Sequence, residues 1–287
     1  MMRIYINKLA WYCILFLFIT LPMQAVPLVR QPKVIIWDIA GILLRVSKMR
    51  MAKNIGIGSL VWYSITNFKI PNIRPLMFKV LDSLQEYPKD SIMPYDEKNN
   101  LLPYCMYQWF TGEKTGPEIV AQVTDQSTSS RGLQVLADDA ERKLVDNAIK
   151  ALFTPALFAS TVKPIKAGIE LVHACKTACP TTRLMVLSNW DSASFDLIYN
   201  SWTGQTTFAD FNPEDIVISS RIGYAKPDIQ CFKHMLKLYN LNSQDCVFVD
   251  NQKENLKAAQ AAGITSIELK NGDYHTLADA FRSLNLL

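Results

Sequence analysis

No glycine-rich nucleotide loop occurs in these 287 residues, neither GxGxxG nor GxxxxGK, so the phosphate cradle of the common nucleotide-binding folds is missing. Histidine is scarce. His173, His234 and His275 fall inside helical stretches or near the C-terminus rather than at strand ends, which leaves no Ser-His-Asp arrangement. An excess of one charge is lacking too: 30 Lys+Arg against 26 Asp+Glu give +4. Residues 1–25 carry Arg3 and Lys8 and no acid, so their removal leaves +2. So small an excess argues against a dedicated nucleic-acid surface. The cysteines have neither CxxC nor zinc-knuckle spacing. Without Cys13 they are Cys105, Cys175, Cys179, Cys231 and Cys246, an odd number expected to be buried free thiols.

The apolar run near the start, Leu9 to Leu21, is also too short to span a membrane, at about 13 residues against the ~20 that cross a hydrocarbon core. It follows Arg3 and Lys8 and meets Pro22 and the small residue Ala25, which is the order of parts in a secretory signal peptide. Residues 1–25 are therefore expected to be cleaved and the protein exported, to a periplasm or beyond. The alternative is a membrane anchor at residues 9–22.

What is present is a rhythm. Val34-Ile35-Ile36-Trp37 is a short apolar run without alternation that ends on Asp38, as expected of a strand buried on both faces of a parallel sheet. From Pro164 the spacing predicts helix 165–178, strand 183–188, helix 192–200, strand 215–219, helix 228–240, strand 246–250, helix 252–262, strand 264–268 and helix 274–285. That alternation implies an α/β, doubly wound parallel sheet. Residues 33–44 and 161–287 form its core. Residues 45–160, rich in aromatics, methionine and proline, read as a helical insert after the first strand. In it, Gly116-Pro117-Glu118 marks a helix start, Thr124 to Ser130 a loop, and the aromatics helix packing.

Ligands of such sheets sit beyond the carboxyl ends of the strands. Polar groups expected there are Asp38, Ser188-Asn189, Lys226 in Gly223-Tyr224-Ala225-Lys226-Pro227-Asp228, and Asp250-Asn251. A carboxylate beside a cation stays ionised and can attack phosphorus, splitting one hard step into two; Asp38 fits. The hydroxyl and backbone N–H groups of Ser188-Asn189, ahead of a helix, can hold phosphoryl oxygens. Lys226 supplies a point positive charge. Asp250 can hold a hard divalent ion, for which Mg²⁺ suits, and Glu254 can orient a water on it.

The segments WDIAGILL, VLSN, GYAKPDIQCF and VFVDNQKENLKAA resemble the four motifs of the haloacid dehalogenase-like (HAD) hydrolases. The closest likeness is to the sugar-phosphate phosphatase and epoxide hydrolase N-terminal-like subgroup, whose helical cap lies between the first two motifs. Phe110 to Glu118 is similar to a cap segment of that group. The resemblance implies a HAD-type Rossmannoid core and an Mg²⁺-dependent phosphomonoesterase acting on a small phosphorylated metabolite. It makes Asp38 the nucleophile, Ser188 and Lys226 phosphate ligands, and Asp38, Asp250 and the Ala40 carbonyl metal ligands. Asn251 and Glu254 match outer positions.

One departure concerns Ala40, which occupies the place where most HAD phosphatases carry a general acid–base aspartate; losing such a group costs ~10²- to 10⁴-fold. Three readings follow: a phosphatase, a metal-independent haloacid dehalogenase, and a catalytically weak phosphate-binding protein. Phosphonatases also have alanine there, with a cap lysine; Lys53, Lys69 and Lys79 are in reach by sequence.

Expression in a secreting host followed by intact-mass measurement is expected to show a chain shortened by about the first 25 residues. A full-length, membrane-bound product would favour the anchor.

Overall fold

The continuous apolar character of the first strand answers to its position. In the computed structural model, which describes residues 31–67, 70–88, 92–96, 100–125, 131–136 and 138–287, β1 (Val34–Trp37) is the middle strand of five. Its companions are β4 (Arg183–Ser188), β5 (Ile216–Ile218), β6 (Cys246–Asp250) and β7 (Thr265–Glu268), all parallel, in the order β5-β4-β1-β6-β7. The leader at residues 1–25, Lys69 and most of the Thr124–Ser130 loop lie outside the described residues.

Successive side chains of a strand point to opposite faces, and both faces here are covered. Ile35 and Trp37 join Val186, Val249, Leu171 and Phe281 in one core, while Val34 and Ile36 join Met185, Phe248, Phe232 and Leu256 in the other. Trp37 meets Phe281 edge-on at 5.3 Å between centroids, and Phe232 meets Phe248 likewise at 5.1 Å. Helices Lys166–Ala178 and Tyr274–Ser283 supply the first face, Ile229–Leu238 and Lys253–Ala261 the second. The doubly wound α/β sheet expected from the alternation is thus the one observed. Strands 183–188 and 246–250 keep their expected bounds, and the expected 215–219 shortens to Ile216–Ile218. Helices Trp202–Thr207 and Ser219–Ile222 have no counterpart in that reading; pieces of this length are too short to show a period.

Between Lys48 and Thr161 the described residues are mainly helical. The longest helix, Asp139–Phe153, starts where the Asp138 side chain accepts from the Ala140 and Glu141 N–H groups, and it buries Leu144, Val145, Ala148 and Ile149 at three- and four-residue intervals. The expected start at Gly116 is present, with a capping box between Thr115 and Glu118. The insert is not helical to its ends. β2 (Leu44–Val46) pairs antiparallel with β3 (Val162–Pro164), so the chain leaves and re-enters the sheet region through a two-stranded neck.

Two contacts tie the insert to the strand ends. The Ser219 hydroxyl donates to the Phe110 carbonyl at 2.6 Å and accepts from the Trp190 N–H at 3.1 Å. Gly112, at φ +79°, lies so close that any Cβ would run into the Ser220 carbonyl, which requires glycine on both counts. Cys105, Cys175, Cys179, Cys231 and Cys246 are free and buried. Burial pushes the thiols of Cys105, Cys175 and Cys231 up to about 12 and that of Cys246 to about 11, which keeps them protonated and unreactive. Among the described residues, no helix is long and apolar enough to cross a membrane.

Gly168 packs its helix onto the turn after β1, where a Cβ would collide with the Ile42 carbonyl oxygen. Gly168→Ala is expected to cost about 1–3 kcal/mol, measured as a lower urea midpoint; an unchanged midpoint would show that the helix can back away freely.

Candidate active site

The strand order brings the ends of β4, β1 and β6 side by side, and with them three polar residues far apart in sequence. Ser188 Oγ donates to Asp38 Oδ1 at 2.9 Å. Lys226 Nζ donates to the same oxygen at 2.8 Å and to Asp250 Oδ2 at 2.8 Å. Asp38, Lys226 and Asp250 are 5%, 1% and 0% exposed. Both donors use Oδ1 of Asp38, which leaves Oδ2 without a donor among the described residues.

A lysine so deeply buried needs compensation. Burial pulls the Lys226 ammonium down, but the carboxylates of Asp250 and Asp38 outweigh it and hold the proton on, above its ordinary range. Its Nζ also sits 4.9 Å from the Phe248 ring centroid, a cation–π contact. The backbone around it is clamped by Asn189, whose Nδ2 donates to the Lys226 carbonyl at 2.7 Å and whose Oδ1 accepts from the Lys226 N–H at 2.8 Å. The side chain expected to touch phosphate therefore spends its amide on positioning the lysine, while still lining the cavity.

Burial is also the main reason that Asp250 is pushed up to about 6; Lys226 opposes this and Asp38 adds to it. Asp250 Oδ1 accepts from the Gln252 N–H at 2.7 Å, and Oδ2 accepts from Asn255 Nδ2 at 2.9 Å. Asn255, one turn into the helix that follows, is missing from the sequence reading although nothing else in that helix touches the carboxylate by side chain. Glu254 instead bonds Lys257 at 2.7 Å and lies outside the cavity. Asn251 packs its amide under Gly41, where φ is +81° and a Cβ would strike Asn251 Nδ2; its Oδ1 is buried without a hydrogen-bond partner.

A cavity of about 290 Å³ opens over Asp38, bounded by Ala40, Ser188, Asn189, Lys226 and Asn255 below and by Arg74, Tyr95, Asp96 and Phe110 of the insert above. Arg74 and Asp96 form an ion pair on that wall. Phe110 opens the segment that resembles a cap segment, but Arg74, Tyr95 and Asp96 do not stand out in the sequence, because no local pattern tells which part of a long helical segment folds back over a sheet. Lys53 and Lys79 do not line the cavity.

Two carboxylates against one ammonium leave a formal charge of −1 at the centre, and each carboxylate oxygen can accept more than one partner. Together with the Ala40 backbone on the cavity wall, this all-oxygen donor set fits a hard divalent cation such as Mg²⁺. Among the described residues, no group of three or more His, Cys, Asp or Glu gathers to hold a metal, so an ion here would rest on the two carboxylates and on backbone or water oxygens.

No family model matches the chain. A stretch of 56 residues is 36% identical to a sesquiterpene phosphatase of Aspergillus oryzae; it amounts to 20% of this chain and 29% of that protein, so the chain spans less than a third of this relative. Solved structures align over far more. A HAD family enzyme of Bacteroides thetaiotaomicron superposes with a TM-score of 0.51 at 16% identity, covering 87% of this chain and 99% of the other. The magnesium complex of that enzyme gives 0.50 at 17% identity, with coverages of 87% and 99%. A HAD-like family hydrolase of Porphyromonas gingivalis gives 0.50 at 15% identity, with coverages of 88% and 98%. The chain therefore has the fold of the HAD enzymes, in agreement with the resemblance of its four segments.

Removing the lysine leaves two buried carboxylates facing each other. Lys226→Met is expected to cost roughly 3–5 kcal/mol in urea denaturation at neutral pH. Asp38→Asn, which removes one of the crowded charges, is expected to cost far less; equal losses would show that the triad is held by packing and not by charge.

Proposed function

We propose that the chain is a HAD-type hydrolase, an Mg²⁺-dependent phosphomonoesterase that attacks its substrate through Asp38. The observation that carries this is the buried Lys226 ammonium, 2.8 Å from both Asp38 Oδ1 and Asp250 Oδ2, with Asp38 lining a small cavity and its Oδ2 without a donor among the described residues. In this reading Oδ2 attacks phosphorus, the ester O–P bond breaks, and an aspartyl-phosphate forms on Asp38. Water then attacks the phosphorus, releasing inorganic phosphate and restoring the carboxylate. Lys226 offsets the charge brought together by nucleophile and ester. The Ser188 hydroxyl, held at Asp38, is placed to turn to a phosphoryl oxygen. A divalent ion would be held by Asp38, Asp250 and the Ala40 carbonyl, and would supply Lewis-acid stabilisation of phosphoryl charge. Asn255 and Asn251 take the outer positions, since Glu254 faces Lys257.

Alanine at position 40 leaves the departing alcohol without an adjacent acid. The titratable insert residues on the cavity wall are Tyr95 and Asp96, the latter paired with Arg74. The reading therefore includes a strong preference for good leaving groups. A haloacid dehalogenase would use the same nucleophile without metal, and a weak phosphate-binding protein would not turn over; metal-dependent turnover separates the three. For the alcohol, the sequence resemblance suggests a sugar, whereas the partial relative is a sesquiterpene phosphatase. The phosphate cavity suits either. The same proposal takes the activity to be outside the cytoplasm, periplasmic or secreted, on the order of parts in residues 1–25, with anchoring through residues 9–22 as the alternative.

Phosphate release from an aryl phosphate is expected to require Mg²⁺, to stop with a chelator and to vanish in Asp38→Asn. Ala40→Asp is expected to raise turnover of alkyl phosphates by about 10²-fold or more, at the low end of the ~10²–10⁴ range of general acid–base catalysis, and to help aryl phosphates much less. Absence of release from a broad phosphate panel by folded protein would sink the phosphatase reading.

A further inference from the structure

Beside the phosphate cavity lies a second one of about 1130 Å³, against about 290 Å³ for the first. The two share Ala40, Phe110 and Asn189 as wall, so the large groove begins where the alcohol half of an ester held at Asp38 would leave the small cavity. Its volume lies just above the roughly 300–1,000 Å³ usual for small-molecule sites.

The groove's lining is apolar. Met51, Ile55, Leu60 and Ile73 come from the first three helices of the insert. The other wall includes an aromatic ladder in which Trp109 lies 6.0 Å from Phe158 and Phe158 lies 5.8 Å from Trp190, centroid to centroid. Among the described residues, no acid lines the groove, and its charged side chains are Arg45 and Lys48. A sugar carries hydroxyls along its length, and away from Arg45, Lys48 and Asn189 each would give up water here for an apolar wall. A hydrocarbon chain would only lose contact with water. An apolar surface of this kind, continuous with a buried charged centre, also has one evident use, which is to hold a molecule that is anionic at one end and greasy along the rest.

We propose that the substrate is the phosphomonoester of a long apolar alcohol, with the phosphate at Asp38 and Lys226 and the hydrocarbon tail along this groove. The proposal rests on the phosphatase reading for the head group alone. Hydrolysis would yield the free alcohol and inorganic phosphate, the water contributing its hydroxyl to phosphorus and its proton to the alcohol.

The test separates binding from turnover. Affinities of n-alkyl phosphonates, which cannot be hydrolysed, are measured by calorimetry with the full chain and Mg²⁺, below the concentrations at which they form micelles. The expected result is a rise of roughly fourfold per added methylene, equivalent to ~0.8 kcal/mol per buried CH₂, with inorganic phosphate competing against every member. Val46→Glu and Leu60→Glu, at groove positions that are not fully buried, are expected to flatten the rise. Affinity independent of chain length overturns the proposal, as does a rise that phosphate does not compete away, since the tail would then be bound elsewhere. Aryl phosphate turnover is read in parallel. Turnover with no chain-length dependence would leave the phosphatase standing and remove the apolar substrate; chain-length dependence with no turnover would keep the ligand class and remove the catalysis.

Discussion

The arrangement on which the rest depends is an ammonium group buried between two carboxylates. Lys226, Asp38 and Asp250 come from three separate strand-end segments, and they meet only because β1 lies beside β6 and the loop after β5 folds back over both. Burying three charges costs several kcal/mol per ion, and attraction repays this only when geometry and the remaining hydrogen bonds are good. Here the repayment is visible in the shell around them: Ser188 on Asp38, Gln252 and Asn255 on Asp250, Phe248 under the ammonium, and Asn189 holding the lysine's backbone. The centre still carries one negative charge in excess. A stable core has no reason to keep such an imbalance, but a site that accepts a cation and then an anionic ester does.

Legibility from sequence followed the range of the interactions involved. Strands that are buried on both faces must be apolar at every position, so β1, β4 and β6 announce themselves, and a parallel sheet then dictates that its strand ends be searched for chemistry. Asp38, Ser188 and Asp250 could be found in this way because each sits at or just after such an end, whereas Lys226 lies beyond the short helix Ser219–Ile222 that follows β5 and was read from its Gly223–Asp228 segment. Asn189 shows the limit of the method. An amide at a strand end can serve a ligand or a neighbouring loop, and which of them it serves depends on how near the 223–228 segment comes, a distance that no local pattern encodes. Asn255 and Glu254 are adjacent and equally polar, yet helix geometry turns one to Asp250 and the other to Lys257. The periodicity gave no sign of this.

The insert was legible only as helix. Its amphipathic spacing predicts burial of one face but not the surface it meets, so Arg74, Tyr95 and Asp96 lining the cavity with Asp38 and the aromatic wall of the groove emerged only in three dimensions. The short strands β2 and β3 were hidden for a related reason: three residues each cannot display alternation, and their pairing joins positions about 120 apart in the chain.

How tightly the insert is held bears on what it can select. It is fastened at the β2–β3 neck, at Ser219 through the Phe110 carbonyl, and at the Gly112–Ser220 approach that admits no side chain. Phe110 belongs both to that fastening and to the wall shared by the small cavity and the groove. Phe110, shared by the small cavity and the groove, is thus held through its carbonyl by the Ser219 hydroxyl, beside the Gly112–Ser220 approach. A substrate that fills the groove would gain its affinity from surface already in place, with little ordering cost. In the phosphatase reading, alanine at position 40 withholds help from the leaving group, and binding along a preformed apolar wall would be the means left to this site for telling one phosphate ester from another.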